Sequence, residues 1–270
     1  MSKPHRSTLR VVEILDVVRR YAERGVTFGE LAQKIGVPKS SLLPIVHTLR
    51  DERFLAFDAD GQRYRVGFAA YEVGQAYVRS SGIPADIRAV MEGIVKGSGE
   101  TCYFGELRGN EVAYLLAVES PQPVRMVASV GQRLPAHGTA IGKALLAGMP
   151  REQLEALFPD GLVRITPNTI TDMGVLVDQL TEVAATGVAY EKEESTPHIQ
   201  CIAVPVIVGA VTRAAISVAT PVFRFSDQKA AVITGLLKQA QPVLQRVVGA
   251  VPAGAPLFGG AFGPGSMLRA

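Results

Sequence analysis

Residues 27–52, TFGELAQKIGVPKSSLLPIVHTLRDE, decide how the first part of this chain folds. Thr27 followed three residues later by Glu30 has the spacing of a capping box that opens a helix. Leu31 and Ile35 fall on its inward side, and Gly36 stops it. Pro38 suits the first turn of a second helix, whose buried face is Leu42, Ile45, Val46 and Leu49. Two helices joined by a short turn containing glycine are a helix-turn-helix. In that arrangement the N-terminal part of the second helix reaches base edges in DNA. Lys39, Ser40, Ser41 and His47 project away from the apolar stripe and carry donors for phosphates and bases. Pro44 disturbs this pattern, because proline in a helix interior removes a hydrogen bond and costs about 3 kcal/mol. The expectation is a helix that kinks at Pro44 or begins later.

Upstream, RSTLRVVEILDVVRRYA (6–22) places Leu9, Val12, Leu15 and Val18 at helical spacing, with Ser7 or Thr8 as cap. Downstream, FLAFDADGQRYRVG (54–67) reads as two short strands around an Asp60-Gly61 turn. Arg63 and Arg65, with Gln62, lie just past the tip, where a wing touches the DNA backbone or minor groove. Residues 1–67 therefore read as a winged helix-turn-helix domain, joined to the rest of the chain by a linker helix over 68–83. Ala70, Val73, Ala76 and Tyr77 share one face of that helix, which suits packing on a partner subunit. A dimer would set two recognition helices about one DNA turn apart.

Composition limits the alternatives. The chain has 270 residues, 47% hydrophobic and 20% charged, as an ordinary globular protein does. No apolar run approaches the roughly 20 residues of a membrane span, so no membrane partner is expected. The polar start MSKPHRSTLR does not read as a signal peptide, and two cysteines are too few for a disulfide scaffold; a cytoplasmic setting follows. Residues 1–80 hold 13 Lys/Arg against 9 Asp/Glu, a balance of +4, while residues 81–270 hold 15 against 16, a balance of −1. The positive excess sits where phosphate would be met. There is no phosphate-binding glycine loop, no Gly-x-Ser-x-Gly and no His-Glu-x-x-His, so neither a cofactor nor an enzyme is expected.

Residues 84–250 alternate helices with strands. DIRAVMEGIVKGSG is an amphipathic helix, TCYFGELRGNEVAYLLAVES two strands about an Arg108-Gly109-Asn110 turn, and PVRMVASVG a further strand. Helices follow in GTAIGKALLAGM, MPREQLEALFP and MGVLVDQLTEVAATG, then strands in VAYEKEE, CIAVPVIVG and VTRAAISVATP. A long helix with Ser226 as its cap closes the domain. The pattern is that of an α+β, two-domain protein whose second domain has a largely antiparallel sheet with helices on its faces. Residues 251–270, rich in Gly, Pro and Ala, read as a disordered tail.

Four stretches resemble the IclR family of transcriptional regulators: LAQKIGVPKSSLLPIVHTL (31–49), GQRLPAHGTAIGKALLA (131–147), TGVAYEKEES (186–195) and CIAVPVIVGAVTRAAISVATP (201–221). The second matches the pattern LPxHxTAxGKAxLA, and the likeness runs from about Thr8 to Val248. It implies a GAF-like effector-binding domain, a homodimer or homotetramer, and binding to a double-stranded operator that a small organic ligand alters. The family's ligands are mostly catabolic acids and aromatic compounds. By position, the resemblance lines the effector pocket with Met126, Leu134, Thr139, Ala140, Ile141, Glu191, Ile199, Cys201, Ser217 and Ala219. The chain departs from the pattern twice. Pro44 stands where the family often has Arg, and Thr196-Pro197-His198 occupies a turn where it often has Gly.

The residues themselves allow other chemistries. Gly138 and Thr139 lie near a helix N-terminus, which suits a carboxylate, though Thr139 as a plain cap explains the same residues. Cys201 with His198 could form a nucleophile and its base in a Cys-dependent enzyme, or Cys201 could simply fill a pocket wall. His137, His198 and Cys201 could together sense a metal, or Cys201 a redox signal. Glu191, Glu193 and Glu194 read as a solvated strand edge from which Glu191 alone turns inward.

Overall fold

The computed structural model describes residues 5–80, 85–127, 131–252 and Leu257, with the backbone alone at 75–80. The chain divides into two compact units, Met1–Gly82 and Ile83–Ala270.

The first unit runs α1 (Arg6–Arg20), β1 (Val26–Thr27), α2 (Phe28–Ile35), α3 (Lys39–Asp51), β2 (Leu55–Asp58), β3 (Arg63–Val66) and α4 (Phe68–Ser80). The capping box forms: Thr27 Oγ1 accepts from the Glu30 amide at 3.2 Å, and a Glu30 carboxylate oxygen accepts from the Thr27 amide at 2.8 Å. Gly36 ends α2 in the left-handed conformation (φ 69°), and its N–H donates to the Ala32 carbonyl. Ile14, Val18, Leu31, Leu42, Val46, Leu49, Leu55 and Tyr64 fill one core among the three helices and the hairpin. The hairpin pairs Leu55 with Val66 and Asp58 with Arg63, so its loop is residues 59–62 rather than the tight Asp60-Gly61 turn expected. Asp58 holds that loop by accepting from the Asp60 and Gly61 amides, and Gln62 takes the positive φ. The unexpected β1 adds a third antiparallel strand, in the order β1-β3-β2. Gly67 turns the chain into α4; a Cβ there would lie 2.2 Å from the Arg53 carbonyl oxygen. Ala76 and Tyr77 fall outside the described side chains.

The second unit comprises α5 (Ala85–Ser98), β4 (Thr101–Arg108), β5 (Glu111–Val118), β6 (Arg133–Pro135), α6 (Ala140–Leu146), α7 (Arg151–Leu157), α8 (Met173–Thr186), β7 (Ala189–Lys192), β8 (Ile199–Val208), β9 (Val211–Pro221) and α9 (Asp227–Gly249). Six strands make one antiparallel sheet in the order β6-β5-β4-β9-β8-β7. Alternation along each strand separates two cores. Phe104, Leu116, Ile202, Val204, Ile216 and Val218 face α5 and α9. Tyr103, Tyr114, Ala203, Ala215 and Ala219 face α6 and α8. Pro205 is tolerated inside β8 because β7 pairs only as far as Ala203, leaving β8 an edge beyond it.

Two expectations change here. Val124–Val127 forms no strand; the edge place on β5 goes to β6, pairing Glu111 with Pro135 and Ala113 with Arg133. The rest of that expected strand, residues 128–130, lies outside the described residues. In the segment expected to be a disordered tail, Leu257 is buried in the α5–α9 core, and Arg213 donates to the carbonyls of Val251 and Pro252. Most of that segment lies outside the described residues.

Candidate functional sites

In the first unit α3 runs without interruption from Lys39 through Pro44 to Asp51. Leu42, Val46 and Leu49 are buried, while Lys39, Ser40, Ser41 and His47 are all exposed. Ser40, Pro44 and His47 follow at i, i+4 and i+7, on the side of α3 opposite the buried stripe. Pro44 has no N–H for the Ser40 carbonyl. The Thr48 hydroxyl donates to the Pro44 carbonyl at 2.9 Å. Leu43, which sequence reasoning passed over, is 41% exposed beside this row. The two hairpin arginines turn back onto the chain. Arg63 donates to the Gly25 carbonyl at 3.1 Å and lies 3.5 Å from the Glu30 carboxylate, and Arg65 donates to the Ala22 and Glu23 carbonyls. They brace the hairpin on the end of α1 and the cap of α2.

In the second unit strand register does the assembling. Glu191, Cys201, Ala219 and Thr101 stand in one row across β7, β8, β9 and β4, and Ala189, Ala203, Ser217 and Tyr103 in the next. Ala140 and Ile141 of α6 and Ile199 of β8 belong to the core on this face, and Met126, Leu134 and Cys201 pack against it. Ser217 is buried in the second row. The positions singled out in the sequence thus line one face of one sheet. Thr139 caps α6, accepting from the Gly142 amide at 3.0 Å. Gly142 is needed there, since a Cβ would meet the Ala136 carbonyl oxygen at 1.9 Å.

The polar groups on this face are unusual. Glu191 is buried; one carboxylate oxygen accepts from the Glu194 amide (2.5 Å) and the Ser195 amide (3.0 Å), while Oε2 has no hydrogen-bond partner among the described residues. Burial pushes its carboxyl up to about 7, against the pull of those amides and of the Cys201 thiol. The Cys201 thiol is itself pushed up, by burial and by the Glu191 carboxylate beside it. That is the opposite of an activated nucleophile. His198 is no base for it: its side chain is 90% exposed, with Nδ1 3.7 Å from Glu193. Among the described residues no three His, Cys, Asp or Glu side chains converge as a metal site. His137 lies edge-on to Phe158, with Nε2 3.0 Å from the Val163 carbonyl oxygen; burial lowers its pKa.

Sequence reasoning missed three features. The Tyr103 and Tyr114 rings meet on this face in a tilted contact at 5.0 Å, and the Tyr103 hydroxyl donates to the Met126 carbonyl at 3.1 Å. Lys143 of α6 is completely buried, with Nζ 2.6 and 2.7 Å from the two Glu194 carboxylate oxygens. Thr166 and Thr169 donate to the Glu193 and Glu194 carbonyls at 2.6 and 2.7 Å. The acidic run is therefore no solvated edge, because Glu194 is buried as well as Glu191. The signals available were the alternation of TCYFGEL for Tyr103 and a lysine inside an otherwise apolar helix for Lys143. A groove of about 780 Å3 opens between β7, β8 and the first half of α9, bordered by Tyr190, Glu191, Lys192, Gln200 and Cys201 on the sheet side. Cys201 borders it while also packing on the α6 core.

Comparison with known proteins agrees for both units. The family model described as "Bacterial transcriptional regulator IclR C-terminal" matches residues 75–245, and the one described as "IclR helix-turn-helix domain" matches residues 7–59. The HTH-type transcriptional regulator BhcR of Paracoccus denitrificans is 32% identical over 233 residues, 86% of this chain and 83% of its own length. The HTH-type transcriptional repressor AllR of Klebsiella pneumoniae is 32% identical over 204 residues, 74% of this chain and 75% of its own. Among solved structures, a transcriptional regulator from Alicyclobacillus acidocaldarius superposes with a TM-score of 0.76 at 27% identity, covering 90% of this chain and 99% of that one. A homologue from Microbacterium hydrocarbonoxydans, solved with 4-hydroxybenzoate, shares the fold with a TM-score of 0.67 at 23% identity, over 89% and 99% of the two chains.

Proposed function

The chain belongs to the IclR family of bacterial transcriptional regulators, and from that premise we propose how it reads DNA and what it senses. It is a DNA-binding regulator and not an enzyme. In our reading α3 enters the major groove, with Lys39, Ser40, Ser41 and His47 meeting phosphates and base edges. Arg63 and Arg65 hold the wing in place and reach DNA only by exchanging their carbonyl partners for phosphate.

The effector in this reading is a small organic acid, aromatic or aliphatic, held on the α6 face of the sheet by Met126, Leu134, Thr139, Ala140, Ile141, Glu191, Ile199, Cys201, Ser217 and Ala219. The observation that carries it is the cross-strand row that sets the unpartnered oxygen of Glu191 beside Cys201. A buried polar atom without a partner is costly unless something fills its valence. An aromatic acid is also the class of molecule bound in the Microbacterium homologue. The assembly is a cytoplasmic homodimer or homotetramer, a reading supported by α4, where Phe68, Tyr71 and Val73 are each more than half exposed at 60%, 56% and 60%.

The test is a thermal-shift screen of the full chain against aromatic and catabolic acids, followed by operator binding with each hit. A ligand at 100 times its dissociation constant adds about 2.7 kcal/mol of stability. An acid that stabilises the protein and changes its operator affinity supports the proposal. A screen in which no acid stabilises folded protein overturns the effector assignment and leaves DNA binding standing.

A further inference from the structure

We infer that the middle of α3 reads thymine methyl groups, through an apolar pair formed by Leu43 and Pro44. The inference rests on the reading of α3 as the helix in the major groove. Donors occupy the two ends of the exposed surface of α3: Lys39, Ser40 and Ser41 in its first turn, and His47 one turn beyond Pro44. Between them the helix offers no side-chain donor. Leu43 is 41% exposed and Pro44 is exposed beside it, although three other residues of α3 are available to serve the core.

An interior proline costs helix propensity, which in a helix that meets water alone brings no return. Against the major groove Leu43 and Pro44 have a partner. The thymine C5-methyl is the one apolar group that base pairs display there, and apolar side chains recognise it by direct packing. The pyrrolidine ring has a second consequence. It removes the N–H that would bond the Ser40 carbonyl, which stands one turn back on the same exposed face. The middle of the DNA-facing surface is therefore apolar, and no arginine stands between Ser41 and His47 to seek guanine. The half-site should carry thymine opposite Leu43 and Pro44, where a polar pair at these positions would ask for a purine edge.

The experiment selects bound sequences from random DNA with the full-length protein, then replaces each thymine of the selected half-site with deoxyuridine, which differs only by the methyl. Affinity is expected to fall about fourfold for each packed methyl removed, at one or two adjacent positions and nowhere else. Leu43→Ala and Pro44→Ser lie on the surface and leave the core residues untouched. Each should erase the thymine–deoxyuridine difference at its own position. The inference is overturned if deoxyuridine binds as well as thymine throughout, or if the difference survives in both variants. Were the selection to return no preferred sequence, the placement of α3 in the groove would fall, and the inference with it.

Discussion

Glu191 shows what one side chain can report. Its carboxyl sits at about 7 in the folded chain, against an ordinary value of 4.5, because burial disfavours its charge. The folded state thus holds a proton that the unfolded state releases between those values. Its contribution to stability is complete below pH 4.5 and is lost as pH rises through 7. The span corresponds to about 3 kcal/mol, and Glu191→Gln should flatten the fall in urea stability measured from pH 5 to 8. In sequence the acidic run reads as a solvated edge from which Glu191 alone turns inward, and its alternation with Tyr190, which is exposed, is what the structure adds. That Glu194 is buried too was not legible, because its partner Lys143 lies 51 residues away in the chain. Pro44 is the other informative residue. Pro44→Ala restores a helical N–H and a better helix former, and should stabilise the first unit by up to about 3 kcal/mol, read as a higher unfolding midpoint. A lower midpoint in calorimetry would mean that Pro44 packs against something the exposed face does not reveal.

α6 is the element on which the second unit turns. Thr139 caps it, Gly142 lets it approach Ala136, and Lys143 ties it to the loop that follows β7. Removing one member of a buried ion pair leaves the other charge unpaired, at a cost of about 3–5 kcal/mol. Lys143→Met should lose about that much in urea unfolding, and adding Glu194→Gln should recover a good part of it. Equal stability in the single and double variants would show that leaving Glu194 unpaired costs nothing. The element boundaries that the sequence made plain were those with local signals: the capping box at Thr27, Gly36 after α2, Ser226 before α9. The strand expected near Val124 failed for a different reason. Its composition suits a strand, but the free edge of β5 is filled by the short β6, and Met126 instead offers its carbonyl to Thr101 and Tyr103.

The two units divide the work, and their charges divide with them, +4 over residues 1–80 and −1 over the rest. Binding to DNA should weaken linearly with log salt, and Lys39→Ala should reduce that slope by about one. An unchanged slope would remove Lys39 from the groups that meet phosphate. Assembly belongs to the whole molecule as well. Val73 is 60% exposed on α4, so Val73→Glu should leave each unit folded while lowering the sedimentation-derived oligomer mass and the operator affinity together. An oligomer of unchanged mass would move the interface away from α4.

From the sequence by itself came the two-domain α+β plan, the helix-turn-helix, the family likeness and the order of nearly every helix and strand. Each rests on local periodicity, caps and turn residues, which act over one or two turns of chain. Tertiary structure alone decided which polar residues are buried together. Register across four strands brings Glu191 to Cys201 and Thr101 into line with Ala219, and packing of α6 buries Lys143 against Glu194. It also decided that Arg63 and Arg65 grip carbonyls of the first unit. The physical reason is that desolvation and hydrogen bonding depend on neighbours distant in sequence, which no local pattern encodes.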